Sequence, residues 1–197
     1  MEIDFDVFRV LEVLATLTGI LAVYLLSVGN GRGWPIGLVN VLLSGLVYYD
    51  SGVDGSTFLQ VFFFGTQVWG WSRWRSGEEK DLRASSRSLP KWALCILLCL
   101  LAGAWLVGFE ILQARESAST YTDAFVTPAS VLAQILMVLS YWESWPLWLV
   151  VDIVFVVQSW EQELWAFVLL YLVYCGMAIR GWSQWTREDE GSGRKLV

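Results

Sequence analysis

Residues Pro90 to Leu112 read PKWALCILLCLLAGAWLVGFEIL, and no residue from Trp92 to Phe109 is charged. A helix crossing the hydrocarbon core of a bilayer needs about 20 mostly apolar residues, within a range of about 17 to 25. This stretch qualifies, and six more candidates flank it: Phe8 to Val28, Trp34 to Tyr49, Gly55 to Trp74, Asp123 to Tyr141, Ser144 to Ser159 and Leu164 to Trp185. The second and sixth are short. Backbone polar groups in lipid must be satisfied within the segment, which favours helices, and strand alternation is absent. Turn-forming or charged clusters part the segments: Gly29-Asn30-Gly31-Arg32-Gly33, Asp50-Ser51-Gly52, Arg75 to Ser88 and Gln113 to Thr120.

Composition agrees with a lipid-facing surface. The 197 residues are 56% hydrophobic and only 16% charged, against roughly a quarter charged in soluble chains. Histidine is absent, which removes the usual general base, the triad base and most zinc ligand sets. No catalytic residue, metal or cofactor is therefore expected. Cys95, Cys99 and Cys175 lie in apolar runs without metal-ligand spacing and read as small core residues. The net charge of −6, with no basic stripe, excludes a nucleic-acid partner.

The acidic start, Met1 to Asp6, lacks the basic region and cleavage site of a removable signal peptide. With seven spans and the N-terminus outside, Arg32, Arg73, Arg75, Lys80, Arg83, Arg87, Lys91, Arg180, Arg187, Arg194 and Lys195 fall inside, leaving only Arg9 and Arg115 outside. Cytoplasmic loops carry such an excess of basic residues. The C-terminus is thus expected in the cytoplasm, with the tail from Thr186 onward disordered.

An internal repeat sets the plan. Trp34-Pro35-Ile36-Gly37-Leu38-Val39 opens the second segment and Trp145-Pro146-Leu147-Trp148-Leu149-Val150 the sixth. Gly70-Trp71-Ser72-Arg73-Trp74 closes the third and Gly181-Trp182-Ser183-Gln184-Trp185 the seventh. Aromatic belts would recur without repeating the neighbouring Gly, Ser and Pro. The order is three plus one plus three, and the odd linker helix makes this a parallel repeat. The expected divisions are a first three-helix bundle at 1–76, a basic loop and linker helix at 77–118, a second bundle at 119–186 and a tail at 187–197.

Polar side chains at membrane depth are expensive and usually face a cavity or a neighbouring helix. Here they form stripes at helical spacing. Asp123, Thr127, Ser130 and Gln134 share one face of the fifth segment, and Gln60, Phe64, Gln67, Trp71 and Trp74 one face of the third. Gly37, Asn40, Ser44 and Tyr48 mark the second, and Trp145, Trp148 and Asp152 the sixth. Hydrogen-bonding glue explains one or two such residues; four stripes with aromatics favour a lined pocket. Asp152 is the one acid well inside the bilayer, so a cation is its natural partner, with Trp145 and Trp148 placed to stack on a flat ring. The alternative is a bond from Asp152 to a Gln or Ser of a neighbouring helix. Glu143, at a helix boundary, reads as solvated or capping.

These residues resemble the PnuC family of bacterial vitamin transporters over most of the chain. Leu59-Gln60-Val61-Phe62-Phe63-Phe64 with Gly70-Trp71 and Trp74 is similar to that family's third helix, and Asn40 to an asparagine of its second. Glu143-Ser144-Trp145-Pro146-Leu147-Trp148 followed by Asp152 resembles its Glu-x-Trp-x-x-Trp-x-x-x-Asn/Asp signature, and Asp123-Ala124 with Ser130 and Ala133-Gln134 its fifth helix. The resemblance implies an all-α integral membrane protein of seven helices, SWEET-like, often a homotrimer, in the bacterial inner membrane. It implies uptake of nicotinamide riboside, or in relatives thiamin or riboflavin, by facilitated diffusion, with trapping by a cytoplasmic vitamin kinase. Trp145 and Trp148 would clamp the ring; Asn40, Gln60, Gln134 and Asp152 would contact polar groups. Some members carry asparagine at the position of Asp152.

Three alternatives stand beside uptake of a cationic vitamin by a uniporter: proton coupling through Asp152, a membrane enzyme, and a non-transporting membrane protein whose polar stripes bind helices together. The enzyme lacks a base and an intramembrane lysine.

Overall fold

The computed structural model describes residues 5–50, 54–76, 86–114, 120–161, 163 and 165–193. Among them run seven helices: α1 Phe5–Ser27, α2 Gly33–Asp50, α3 Asp54–Arg75, α4 Lys91–Gln113, α5 Thr120–Val138, α6 Ser144–Glu161 and α7 Trp165–Gly193. All seven expected segments are helical. At a rise of about 1.5 Å per residue the longer ones reach the roughly 30 Å of a hydrocarbon core. By length and apolar composition alone Arg9–Ser27 and Lys91–Gln113 suffice to cross it, while Gly33–Leu46 and Asp123–Val138 are apolar but shorter.

Two ends differ from expectation. The fifth helix stops at Val138 rather than Tyr141, because a turn intervenes. The seventh runs on to Gly193, so the stretch expected to be disordered is largely helical. Its Thr186-Arg187-Glu188-Asp189-Glu190 sequence is charged but holds no glycine or proline, so nothing in it breaks a helix. The acidic start at 1–4, most of the basic loop at 77–85, Arg115 and the last residues, 194–197, lie outside the described residues.

The chain divides into two compact units, the first built on α1 to α3 and the second on α4 to α7. In the first, α2 packs against both α1 and α3; in the second, α5 packs against both α4 and α6. The helix expected as a linker therefore belongs with α5. No residue of α4 is buried, and Cys95 and Cys99 on it are exposed. The reading of these two as core residues is thus corrected: a thiol that leans into lipid is as comfortable there as in a protein interior, so an apolar run does not tell the two apart.

The repeat extends to individual hydrogen bonds. Trp34 and Trp145, like Gly70 and Gly181, stand 111 residues apart. At the same spacing, α1 and α5 end in one turn made twice. Gly29 N–H donates to Leu26 O and Asn30 N–H to Leu25 O; Ser140 N–H donates to Met137 O and Tyr141 N–H to Leu136 O. This pair of bonds is a Schellman motif, which needs a left-handed residue. Gly29 (φ 76°) supplies it in the first unit and Ser140 (φ 62°) in the second. Trp34 N–H then donates to Gly31 O, and Trp145 N–H to Trp142 O.

The paired tryptophans bury the joints. Trp34 and Trp145 are each 1% exposed. A methyl group at Gly70 would lie 2.5 Å from Trp34 Cδ2, and one at Gly181 2.4 Å from Trp145 Cδ2. Each indole thus rests on bare helix backbone, Trp34 on α3 and Trp145 on α7.

Candidate functional site

In the second unit α6 begins at Ser144, and Pro146 in its first turn loses no helical bond. Trp145, Trp148 and Asp152 follow at one-turn spacings on one face. Their environments differ. Trp145 is taken up by packing: besides Gly181 it meets Trp185 edge-on, with ring centroids 5.6 Å apart and planes at 77°. Trp148, only half-buried, packs beside the cluster of Val126, Ala129 and Val151, as do Leu101, Phe125 and Phe155. Of the two stripe tryptophans of α6 it is the less buried.

Asp152 is 7% exposed. Its carboxylate makes no hydrogen bond or ion pair among the described residues, and Cys175 of α7 lies within its electrostatic reach. A carboxylate at this depth without a protein partner is costly, which suits a group that meets a cation. On α5, Ser130 and Gln134 are buried, whereas Thr127 of the same stripe is exposed.

In the first unit the stripes divide in the same way. Asn40 Nδ2 donates to Ala15 O at 2.6 Å, tying α2 to α1. Gln67 of α3 lies against Gly37, where a methyl group would stand 2.7 Å from its amide, and Gln67 Oε1 is buried without a partner among the described residues. Gln60 is half-buried beside Gly45. Trp74 rests on Gly31.

The reading of Glu143 as a solvated boundary residue is corrected. The residue is buried, and its Oε1 accepts the Leu89 amide at 2.7 Å and the Ser88 hydroxyl at 3.4 Å. Those partners lie more than fifty residues upstream, so no local pattern signals the contact.

These features find close counterparts among known proteins. The model of the family described as nicotinamide mononucleotide transporter matches residues 9–187. The nicotinamide riboside transporter PnuC of Escherichia coli (strain K12) is 28% identical over 213 residues, covering 95% of this chain and 89% of the relative. That of Neisseria mucosa is 27% identical over 193 residues, covering 88% and 70%. The crystal structure of the vitamin B3 transporter PnuC matches with a TM-score of 0.72 at 26% identity, over 91% of this chain and 82% of that one. With seven helices among the described residues and a family match spanning nearly its whole length, the chain belongs to the nicotinamide mononucleotide transporter family of membrane proteins.

Proposed function

We propose that this protein carries nicotinamide riboside across a bacterial inner membrane by facilitated diffusion, with the N-terminus outside and a cytoplasmic kinase trapping the product. The observation that carries the reading is the pair Trp148 and Asp152, one turn apart on α6: a half-buried indole and a buried carboxylate without a hydrogen bond or ion pair among the described residues. A desolvated cation over a tryptophan face gains about 2 kcal/mol or more, and the carboxylate offsets the loss of its water. A pyridinium ring is flat and positive, and it fits both groups. The relatives named as nicotinamide riboside transporters support the same substrate. Ser130, Gln134, Gln60, Gln67 and Thr127 are proposed to meet the polar groups of the vitamin. Asn40 and Trp145 are proposed to act chiefly through the packing described above, and a trimer is the proposed assembly.

Thiamin is also flat and cationic and is the runner-up; riboflavin is neutral and leaves Asp152 without a task. Helix glue has one specific observation in its favour, the Asn40 bond to α1. The test is calorimetric titration of the purified protein with the three vitamins, alongside Trp148→Ala and Asp152→Asn. Nicotinamide riboside should bind tightest, and Trp148→Ala should weaken it by about thirtyfold, the equivalent of about 2 kcal/mol. Tighter thiamin binding transfers the assignment, and no binding by folded protein refutes it.

A further inference from the structure

The turn that leads into α6 is held from outside. Residues Ser86 to Leu89, just ahead of α4, run alongside Ser140 to Glu143. Arg87 N–H donates to Ser140 O at 2.9 Å and Trp142 N–H to Arg87 O at 3.1 Å, a parallel bridge between Arg87 and Tyr141. Glu143 closes the arrangement through its contacts with Leu89 and Ser88. At 2.7 Å the carboxyl–amide bond lies at the short end of the N–H···O range.

Two facts give this clamp a consequence at a distance. First, the turn contains Ser140 in a left-handed conformation that suits glycine better, so its shape depends on bonds made to it. Second, Trp148 lies five residues beyond Glu143 on the rigid first turns of α6. Its indole packs where α4 and α5 contribute Leu101, Val126 and Ala129, so any rotation of α6 at its start swings the ring against these neighbours.

We propose that Glu143 is a positioning residue for the substrate site: by accepting the Leu89 amide it fixes the start of α6, and through it the ring plane of Trp148. The inference rests on the assignment of Trp148 to the vitamin. Glu143 Oε2, Ser86 Oγ and Ser140 Oγ are all buried without partners among the described residues. The bonds of the carboxyl are therefore concentrated on Oε1, an atom that glutamine also possesses. Acceptor geometry, rather than charge, is the property that matters.

The test uses the full chain and three variants. Glu143→Gln keeps the acceptor oxygen, Glu143→Ala removes it, and Leu89→Pro removes only the donor. Position 89 precedes Pro90 and so already favours the extended backbone that proline accepts. Glu143→Ala and Leu89→Pro should weaken nicotinamide riboside by about tenfold, about 1.4 kcal/mol, and speed amide exchange from Trp142 through Trp148. Glu143→Gln should stay within about threefold of the wild type, a gap well under 1.4 kcal/mol, and protect the same amides. A lowered melting temperature with unchanged affinity in the folded fraction overturns the proposal. So does a Glu143→Gln variant as weak as Glu143→Ala, which points to the charge and to a cation held by it. If Glu143→Ala fails to fold, Leu89→Pro decides. Should the wild type bind no nicotinamide riboside, the functional reading falls alone. The exchange data still judge the clamp, because unchanged exchange through Trp148 overturns it.

Discussion

Replacing Gly181 by alanine adds one methyl group in the least tolerant place in the second unit. It would stand 2.4 Å from Trp145 Cδ2, 2.5 Å from Cε2 and 2.6 Å from Cε3, where carbon atoms prefer about 3.5 to 4.0 Å. The indole must therefore retreat by more than an ångström. It has little room, being 1% exposed with Trp185 edge-on behind it. Overpacking of this kind costs about 1 to 3 kcal/mol, and the buried ring argues for the upper half. For a chain of this length each kcal/mol lowers the midpoint by about 2 to 4 °C, so a fall of about 4 to 12 °C is expected. The control lies on the same helix. Nothing stands within 4 Å of a methyl group at Gly176, and alanine is the better helix former by about 0.5 to 1 kcal/mol, so Gly176→Ala should melt at or above the wild type. Thermal unfolding in one detergent, followed by loss of the monodisperse peak, compares the two. A Gly181→Ala variant that melts with or above Gly176→Ala would refute the wedge reasoning. The repeat provides an independent trial, for Gly70→Ala and Gly65→Ala should differ in the same sense.

Ser140→Gly relieves a left-handed serine and removes a buried hydroxyl without a partner among the described residues; it should raise stability by about 1 kcal/mol, read as a higher melting midpoint. Asn40→Leu deletes the bond to Ala15 O, worth about 0.6 kcal/mol by the average for helices in membranes. It should lower the midpoint by a few degrees while calorimetry finds the affinity for nicotinamide riboside unchanged. Asp152→Asn should weaken a cationic vitamin by about tenfold or more and leave a neutral one unaffected, a difference that competition binding resolves.

Much of this architecture is written in short-range patterns. Apolar length announces each helix, and Trp-Pro at 34 and 145 with Gly-Trp at 70 and 181 announces the repeat, because interfacial tryptophans need glycines on which to lie. Trp148 and Asp152 are legible for the same reason: a flat ring and an acid one turn apart share a face whatever surrounds them. What the pattern does not carry is which way a stripe residue turns once helices meet. Trp145 and Trp148 are alike on paper, yet Gly181 draws the first into the interior and leaves the second half-open. Asn40 finds a carbonyl twenty-five residues upstream, and Glu143 an amide fifty-four residues upstream. Partners so distant follow from packing alone. Cys95 and Cys99 failed for a different reason, since in lipid an apolar side chain gains nothing by hiding.

The pairing of helices has a bearing on how the molecule is made. The close pairs α1 with α2, α2 with α3, α4 with α5 and α5 with α6 all join neighbours along the chain. Contacts of such short loop length form early and fast, and chains mature from the N-terminal end as they leave the ribosome. The first three helices can thus be packed, turn and tryptophan wedge included, before α5 has been synthesised. A translational pause across the charged stretch between Ser76 and Leu89 would therefore cost this protein little.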